Sequence, residues 1–207
     1  MAKRRKVNNL LALAVLSYLS GGPMHPYEIS RTLRERDDAR SIKFTHGSLY
    51  MVVAQLAEAG FIAEQETTRT GHRPERTVYA ITDAGRRELR DWLRELVAQP
   101  RHEYPYFVAA LSLIAALHPD EAIELLRERL HRLAGQRTEI RDLIDRTVGD
   151  GVHPLFLIEE EYRLALLDAE SAFVERFLNQ ITHPETGWGR PWAELHAAAT
   201  EPDRGRQ

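Results

Sequence analysis

The residue types that most often carry catalysis are present in this chain, but their spacing does not match the patterns that catalysis requires. Its nine histidines include no His-Glu-x-x-His pair of the zinc hydrolases, and it has neither a Gly-x-Ser-x-Gly turn nor a phosphate-binding glycine loop. Glu159, Glu160 and Glu161 are consecutive, so on a helix their carboxylates point in different directions. The sequence therefore predicts no enzyme activity, no metal ion and no cofactor.

A second group of polar residues suits contact with double-stranded DNA. Gln55 is the best candidate for reading a base edge, because a glutamine amide can form two hydrogen bonds with adenine. His46, Ser48 and Tyr50 lie near the start of the same segment and are better placed for phosphates. Met51 shares their outward side. These five residues are the predicted contacts of a DNA-recognition segment.

Basic residues form two further clusters. Residues 67–75 read T-T-R-T-G-H-R-P-E, a polar loop expected to hold the flanking DNA backbone or minor groove. Exposed arginine is common, so a generic surface hairpin is the alternative interpretation. Residues 3–6 are expected to add a mobile basic arm. The predicted contacts of the two clusters are Arg69, His72, Arg73 and Arg76 around the loop, and Lys3, Arg4, Arg5 and Lys6 in the arm.

The element that would position Gln55 is a helix within residues 45–62. Thr45 or Ser48 is expected to cap its start, and Gly60 suits the left-handed residue that ends it. Most residues on the other side of this helix have small side chains, and Gln55 provides the one amide. A helix whose outer side faces water usually displays pairs of Lys and Glu there. This composition favours a helix that lies flush in a groove. Its apolar face consists of residues at helical spacing, namely Leu49, Val52, Val53 and Leu56.

The neighbouring segments predict a winged helix-turn-helix. Residues 7–19 are apolar on nearly every side, which indicates a buried helix, and a second helix begins near Pro26. Residues 61–66 and 76–82 have the composition of strands on either side of the polar loop, so they predict a two-stranded wing. Thr82 is expected to cap the helix that follows.

Two long amphipathic helices are predicted over residues 119–148 and from about 154 to 181. Their apolar faces exceed what one chain easily covers, so a two-fold homodimer is expected. The alternative is an intramolecular helical hairpin closed by residues 105–117. The predicted dimerisation residues are Ile123, Leu126, Leu130, Leu133, Ile158, Tyr162, Ala169 and Phe173.

Three aromatic residues, Trp92, Tyr106 and Tyr162, have two interpretations. They are ordinary core residues, or they line a pocket for a small aromatic or drug-like effector where the helix after the wing meets the C-terminal helices. An aromatic residue within a helical stripe, such as Trp92, is more often part of a core.

Charge and composition indicate the kind of partner that the protein binds and the compartment in which it is expected. Residues 1–99 hold 16 Lys and Arg against 12 Asp and Glu, a formal charge of +4, and the remainder carries −7. This asymmetry suggests that only the first half meets a polyanion, although chance would produce it too. The absence of cysteine fits a reducing cytoplasm. The apolar run over residues 10–19 is too short to span a bilayer, and no cleavage site follows it, so a cytoplasmic protein without membrane contact is expected.

The first half resembles the PadR family of bacterial transcriptional regulators. The resemblance rests on M-H-P-Y-E-I at 24–29, G-S-L-Y at 47–50, L-A-E-A-G-F-I at 56–62 and R-T-V-Y-A-I-T-D-A-G-R at 76–86. It implies a dimeric DNA-binding regulator, usually a repressor, which a small effector releases in some members. The later helices resemble the C-terminal dimerisation domain of virulence-activator relatives. Pro26 departs from the glycine that is frequent in the family at this position.

Together these patterns predict a mainly α-helical chain with three parts. Residues 1–99 are expected to form a winged helix-turn-helix that binds DNA, residues 100–182 a long-helix dimerisation domain, and residues 183–207 a Gly- and Pro-rich tail. The predicted function is that of a homodimeric repressor on an inverted-repeat operator, released by a small effector. The alternative is a ligand-binding or scaffolding helical module that does not bind DNA.

Overall fold

A computed structural model describes residues 5–36, 38–65 and 77–200 of the chain. The chain divides into two compact units, Met1–His102 and Glu103–Gln207. The described part of the first unit contains four α-helices, two strands and a short 3₁₀ turn over Asp38–Arg40. The α-helices and strands are α1 (Leu10–Ser20), α2 (Pro26–Glu35), α3 (His46–Glu58), β1 (Ile62–Gln65), β2 (Val78–Ile81) and α4 (Asp83–Ala98).

Helix α1 lies at the centre of the first unit. It packs against α3, α4 and β2, and Leu11, Val15 and Leu16 are fully buried. The predicted burial on nearly every side is therefore confirmed, because a helix without a polar face must be surrounded by other elements. The side chain of Asn9 caps the helix by accepting a hydrogen bond from the backbone N–H of Leu11 at 2.9 Å.

Helix α2 begins where the sequence predicts, with Pro26 at its first position. Its cap is reciprocal. The ring of His25 accepts a hydrogen bond from the backbone N–H of Tyr27 at 3.0 Å, and the carboxylate of Glu28 accepts one from the N–H of His25 at 2.9 Å. These bonds fix the start of α2, and Pro26 occupies a position whose backbone N–H needs no partner within the helix.

The two strands form an antiparallel pair in which Ile62 lies opposite Ile81 and Gln65 opposite Val78. The backbones of Tyr79 and Met24 exchange two further hydrogen bonds, each of 3.0 Å, on the other edge of β2. The wing base is thereby tied to the turn between α1 and α2. Residues 66–76 lie outside the described residues.

The described part of the second unit consists of helices. They are α5 (Tyr106–Ser112), α6 (Pro119–Gly149), α7 (Ile158–Thr182) and α8 (Gly189–Thr200), with short 3₁₀ turns over Ile114–Ala116 and Pro154–Leu157. The winged helix-turn-helix followed by long C-terminal helices confirms the predicted fold class.

Helices α6 and α7 pack against each other along their length. Arg129 of α6 pairs with Glu170 of α7 at 2.6 Å, and Arg137 pairs with Asp168 at 2.5 Å. In both cases a residue of α6 meets one about 30 to 40 positions later, as in an antiparallel hairpin. The intramolecular hairpin, which the sequence offered as an alternative, is therefore present.

This hairpin buries some of the residues that the sequence predicts for dimerisation. Leu126 and Leu133 are buried within the chain, and Ile123 and Leu130 are partly buried, with both packed against the core of their own unit. Leu126 and Leu133 therefore pack within the single chain, and a dimerisation role for the four residues of α6 stays a prediction. By contrast, the predicted residues of α7 are exposed, namely Ile158, Tyr162, Ala169 and Phe173.

The segment after residue 182, predicted as a tail, contains helix α8. Trp192 is 9% exposed and belongs to the same core as Ala122, Val174 and Ile181. The helix begins at Gly189, within the segment that the sequence predicts as a Gly- and Pro-rich tail. The described part of this segment is thus an element of the second unit.

Candidate nucleic-acid interface

Helix α3 is fixed at its start by a reciprocal pair of hydrogen bonds. The Oγ1 atom of Thr45 accepts from the backbone N–H of Ser48 at 3.1 Å, and the Oγ atom of Ser48 accepts from the N–H of Thr45 at 2.8 Å. Of the two predicted caps, Thr45 is the residue that precedes the helix. Gly60 has φ of 75°, which confirms the predicted left-handed residue after its end.

The four predicted apolar residues of α3 are buried, and the opposite side of the helix is exposed. Met51 is 57% exposed, Tyr50 is 40% exposed, and His46, Ala54 and Gln55 are also exposed. We call the exposed side of α3, formed by His46, Gly47, Tyr50, Met51, Ala54 and Gln55, the outer face.

The outer face is suited to lie against a polyanion. It carries no carboxylate before Glu58 in the last turn of the helix. The rings of His46 and Tyr50 are adjacent at its N-terminal end, with centroids 4.6 Å apart. The unpaired N–H groups of the first turn give this end a partial positive charge, so anions are favoured there.

Ser48 is less available for a phosphate than the sequence suggested. Its hydroxyl accepts from the N–H of Thr45 and also lies 2.9 Å from the carbonyl oxygen of Thr45, to which it donates. Because its single O–H is engaged in the cap, Ser48 supports the helix that presents the outer face.

Gln55 borders an open polar groove at the C-terminal end of α3. The groove has a volume of about 520 Å³, and its other side is formed by the segment that precedes α1. Lys6 and Asn8 are exposed within this segment. The sequence did not indicate this neighbourhood, since the two segments are some 50 residues apart. The residues that line the groove are Lys6, Val7, Asn8, Asn9, Gln55, Glu58 and Ala59.

Arg5 differs from the prediction of a mobile basic arm. Its side chain is buried, and its guanidinium pairs with Glu88 and with Glu95 at 2.5 Å each. It also lies 5.0 Å from the centre of the Trp92 ring, a cation–π arrangement. Arg5 therefore fastens the N-terminal segment to α4. The spacing of Glu88, Trp92 and Glu95 at i, i+4 and i+7 is a sequence signal for this site, because it places them on one side of a helix.

The pKa of the Glu95 carboxyl group is lowered by its basic neighbours. Burial raises its pKa, but hydrogen bonds from Arg101 and Arg5 and the charges of both outweigh burial and hold the pKa below its usual value of 4.5. The ion pair with Arg101 measures 2.8 Å. Glu95 is thus an anion at neutral pH and balances the charge of the buried Arg5.

The other predicted DNA contacts are distributed as follows. Lys6 is exposed, and its Nζ atom lies 5.9 Å from the centre of the Phe61 ring. Six predicted contacts lie outside the described residues, so their roles stay predictions: Lys3, Arg4, Arg69, His72, Arg73 and Arg76.

The three predicted effector residues lie in different surroundings. Trp92 is 2% exposed within the core of the first unit. Tyr106 is 95% exposed and Tyr162 is 66% exposed, both in the second unit. Trp92 is thus a core residue of the first unit.

In the described ranges, no group of three or more His, Asp or Glu residues is arranged to hold a metal ion. In the same ranges, no helix is both long enough and apolar enough to cross a membrane.

Sequence comparison relates residues 15–91 to a family of regulators. These residues match the family model described as "Transcriptional regulator PadR-like family". The chain is also 26% identical to the negative transcriptional regulator PadR of Bacillus subtilis (strain 168) over 132 residues, which is 64% of this chain and 71% of that protein.

Solved structures of Bacillus subtilis PadR have a similar fold. The structure in complex with operator DNA matches with a TM-score of 0.66 and 23% identity, over 82% of this chain and 97% of that one. The structure in complex with p-coumaric acid matches with a TM-score of 0.67 and 20% identity, over 86% and 97%. At this level of identity the likeness establishes the fold.

Proposed function

Because this chain belongs to the PadR-like family of transcriptional regulators, we propose that it binds DNA sequence-specifically as a homodimeric repressor of an inverted-repeat operator. The observation that carries this proposal is the outer face of α3. It is exposed, free of carboxylates before Glu58, and held on a rigid core by four buried residues. A recognition helix needs these properties in order to enter the major groove.

Within the outer face, Gln55 is proposed to read base edges, and His46, Tyr50 and Met51 to contact phosphates and sugars. Gln55 presents both a donor and an acceptor, the pattern that matches adenine. Ser48 supports these residues through the cap of α3.

The wing and the N-terminal segment are proposed to contribute contacts that are independent of sequence. Arg69, His72, Arg73 and Arg76 are assigned to the wing from the sequence, with Lys3, Arg4 and Lys6 at the N-terminus. Arg5 is left out because two carboxylates neutralise it. Binding to phosphates releases counterions, so the logarithm of affinity should fall with the logarithm of salt concentration at a slope of about −0.9 per neutralised phosphate.

The exposed stripe of α7 is proposed as the contact between two copies. Ile158, Tyr162 and Leu166 are between 52% and 66% exposed and follow one another at intervals of four residues. Ala169 and Phe173 extend the stripe at intervals of three and four. Pairing of this stripe with its symmetry mate would remove the apolar surface from water. Two recognition helices would then read half-sites about one helical turn, roughly 10 bp, apart.

The proposed mode of regulation comes from the relative. Bacillus subtilis PadR is named a negative regulator, and its solved structures include complexes with operator DNA and with p-coumaric acid. We extend this to repression by the present chain, with release by a small aromatic effector. A regulator of this kind acts in the cytoplasm, where the bacterial chromosome lies.

Binding titrations test the proposed reader. A duplex selected from a random library by the wild-type protein is compared with a scrambled duplex. We expect Gln55→Ala to lose about fivefold to 100-fold in affinity for the selected duplex, since a bidentate base contact contributes about 1–3 kcal/mol. Its affinity for the scrambled duplex should not change. Arg73→Ala should weaken both duplexes alike.

Gln99→Ala is the matched control, because Gln99 is an exposed glutamine at the end of α4. It should leave both affinities unchanged. Equal losses on both duplexes for Gln55→Ala would disprove its role as the reader. If the wild-type protein selects no duplex at low salt, the chain is instead the ligand-binding or scaffolding module that the sequence left as the alternative.

A further inference from the structure

Residues 5–8, which precede α1, are held on the first unit through alternate side chains. Arg5 and Val7 are buried, at 9% and 7% exposure. Lys6 and Asn8 are exposed. This alternation directs one pair of side chains into the protein and leaves the other pair on its surface.

The two buried residues anchor the segment at separate places. The guanidinium of Arg5 pairs with two carboxylates of α4, at 2.5 Å each, and lies 5.0 Å from the centre of the Trp92 ring. Val7 belongs to the hydrophobic core of the first unit. Because Asn8 directly follows these anchors, the fold determines where its exposed side chain lies.

Asn8 lies on the open polar groove that Gln55 also borders. Gln55 belongs to the outer face of α3, so the groove continues that face. In the described ranges, neither of these two side-chain amides is hydrogen-bonded to another residue. Asn9 differs, because its side-chain oxygen accepts from the N–H of Leu11 and caps α1. Asn8 and Gln55 are thus two uncommitted amides on one surface.

The lining of the groove suits base edges better than phosphates. Its charged residues are one cation, Lys6, and one carboxylate, Glu58, so the lining has no net charge. A carboxylate repels a phosphate, but it can accept a hydrogen bond from the amino group of cytosine. The amide of asparagine or glutamine can form two hydrogen bonds with adenine. Neutral base edges are therefore the part of a duplex that fits this surface.

From these observations we infer that Asn8 is a second base-reading residue and that Arg5 is its positioning residue. Asn8 contacts the edge of a base other than the one that Gln55 reads, with adenine preferred. The inference rests on the proposed binding of duplex DNA by the outer face, which Gln55 shares with the groove. It adds a sequence-dependent contact to a segment otherwise assigned only contacts with phosphates.

Selection of duplexes from a random library by the full chain tests the reader role of Asn8. Sequencing of the bound fraction gives the preference at each base position. We expect Asn8→Ala to relax a position that Gln55→Ala leaves intact. Affinity for the duplex selected by the wild type should fall about fivefold to 100-fold, the range of one bidentate base contact. Affinity for a scrambled duplex should not change.

Asn179→Ala is the matched control, because Asn179 is an exposed asparagine of α7 in the second unit. It should preserve the preference at every base position and the affinity for both duplexes.

The positioning role of Arg5 needs variants that stay folded. Removal of Arg5 alone would leave two carboxylates buried without compensation. Arg5→Met is therefore combined with Glu88→Gln and Glu95→Gln, and circular dichroism verifies the fold. This triple variant should relax the position that Asn8→Ala relaxes and preserve the one that Gln55 reads. Adding Asn8→Ala to it should cost no further affinity, because the two changes remove the same contact.

Arg5→Lys provides a second measurement. It keeps the charge but loses the fork that pairs with two carboxylates, so it should relax the same base position to a smaller extent. A merely structural role of Arg5 would instead weaken every base position alike, and that result for Arg5→Lys and the triple variant would overturn the positioning role.

The reader role of Asn8 is overturned if Asn8→Ala preserves the preference at every base position, or weakens the selected and scrambled duplexes equally. Relaxation by Gln55→Ala in the same experiment would show that the proposed function stands without it. If the wild-type chain selects no duplex, the proposed function fails and this inference fails with it. The two failures therefore give different results.

Discussion

At the scale of single residues, two glycines lack a side chain for different structural reasons. Gly47 lies in the first turn of α3, and a Cβ atom built there meets nothing within 4 Å. Gly85 lies in the first turn of α4, where a Cβ atom would stand 2.1 Å from the carbonyl oxygen of Phe61. The space beside Gly47 is open on the side of the proposed DNA, whereas the space beside Gly85 is occupied by the backbone of Phe61.

Gly47→Leu should weaken DNA binding while leaving the fold intact. A leucine at this position has room in the free protein but projects from the outer face toward the proposed duplex. We expect at least a tenfold loss of affinity, on the order of 1.4 kcal/mol, with an unchanged circular dichroism spectrum. Gly135→Leu is the control, since Gly135 of α6 is also a helical glycine with open space around it. Wild-type affinity of Gly47→Leu would place the DNA on another face.

Gly85→Ala should destabilise the first unit. The new Cβ atom cannot be accommodated without shifting the backbone of Phe61 or the side chain of Ile81, which lies 2.9 Å away. Such overpacking costs about 1–3 kcal/mol, measured by urea denaturation. Gly47→Ala in the same unit is the matched change and should cost nothing, because alanine is the better helix former. Equal stability of the two variants would mean that α4 moves freely relative to β1.

At the scale of elements, the buried Arg5 joins the N-terminal segment to α4. Two carboxylates at 2.5 Å and the face of Trp92 surround its guanidinium. Removal of one partner from a buried ion pair is usually strongly destabilising, because the other charge is left without compensation. This attachment also holds Lys6 and Asn8 beside Gln55 in the polar groove.

The contribution of Glu95 should depend on pH. Because its pKa is lower in the folded protein than its usual value of 4.5, the stabilisation is complete above that value and is lost as the pH falls through the lowered pKa. We expect the melting temperature of the wild type to exceed that of Glu95→Gln at pH 7, and the gap to close in acid. Asp91→Asn is the control, since its ion pair with Arg94 is exposed and measures 4.0 Å. A gap that stays as large as at pH 7 throughout an acid titration below pH 4.5, down to the lowest pH at which both proteins stay folded, would contradict this account.

At the scale of the whole molecule, function is proposed to require two copies. Within one chain, the α6–α7 hairpin covers Leu126 and Leu133 but leaves the stripe of α7 exposed. Hydrophobic burial contributes roughly 25 cal/mol for each Å² removed from water. A row of large apolar side chains therefore gives a second copy a substantial driving force for association.

If the proposed dimer forms through the stripe of α7, Leu166→Glu should yield a monomer with unchanged helical content. The new charge would lie in the middle of the stripe, where pairing would remove it from water without a partner. Sedimentation equilibrium measures the mass, and titration compares an inverted repeat with a single half-site. We expect affinity for the repeat to fall to that for the half-site. Leu125→Glu is the control, because Leu125 is exposed on α6 outside the stripe. An unchanged mass for Leu166→Glu would exclude the stripe as the interface.

Local patterns in the sequence were enough to predict the helices and strands of the first unit and the buried side of α3. Apolar periodicity and helix caps depend on residues that are close in the sequence. The burial of Leu49 and Leu56, the cap at Thr45 and the end of α3 at Gly60 could therefore be predicted. The family resemblance rested on the same local motifs, and the match over residues 15–91 agrees with it.

Contacts between segments that are distant in the sequence became apparent only from the folded chain. Arg5 looked like part of a free basic arm because its partners Glu88 and Glu95 lie more than 80 residues away. Periodicity could not show that α7 covers Leu126 and Leu133, nor that Trp192 of α8, within the predicted tail of residues 183–207, packs in the core of the second unit. Periodicity shows that a face must be buried, but the partner that buries it depends on how the chain folds back.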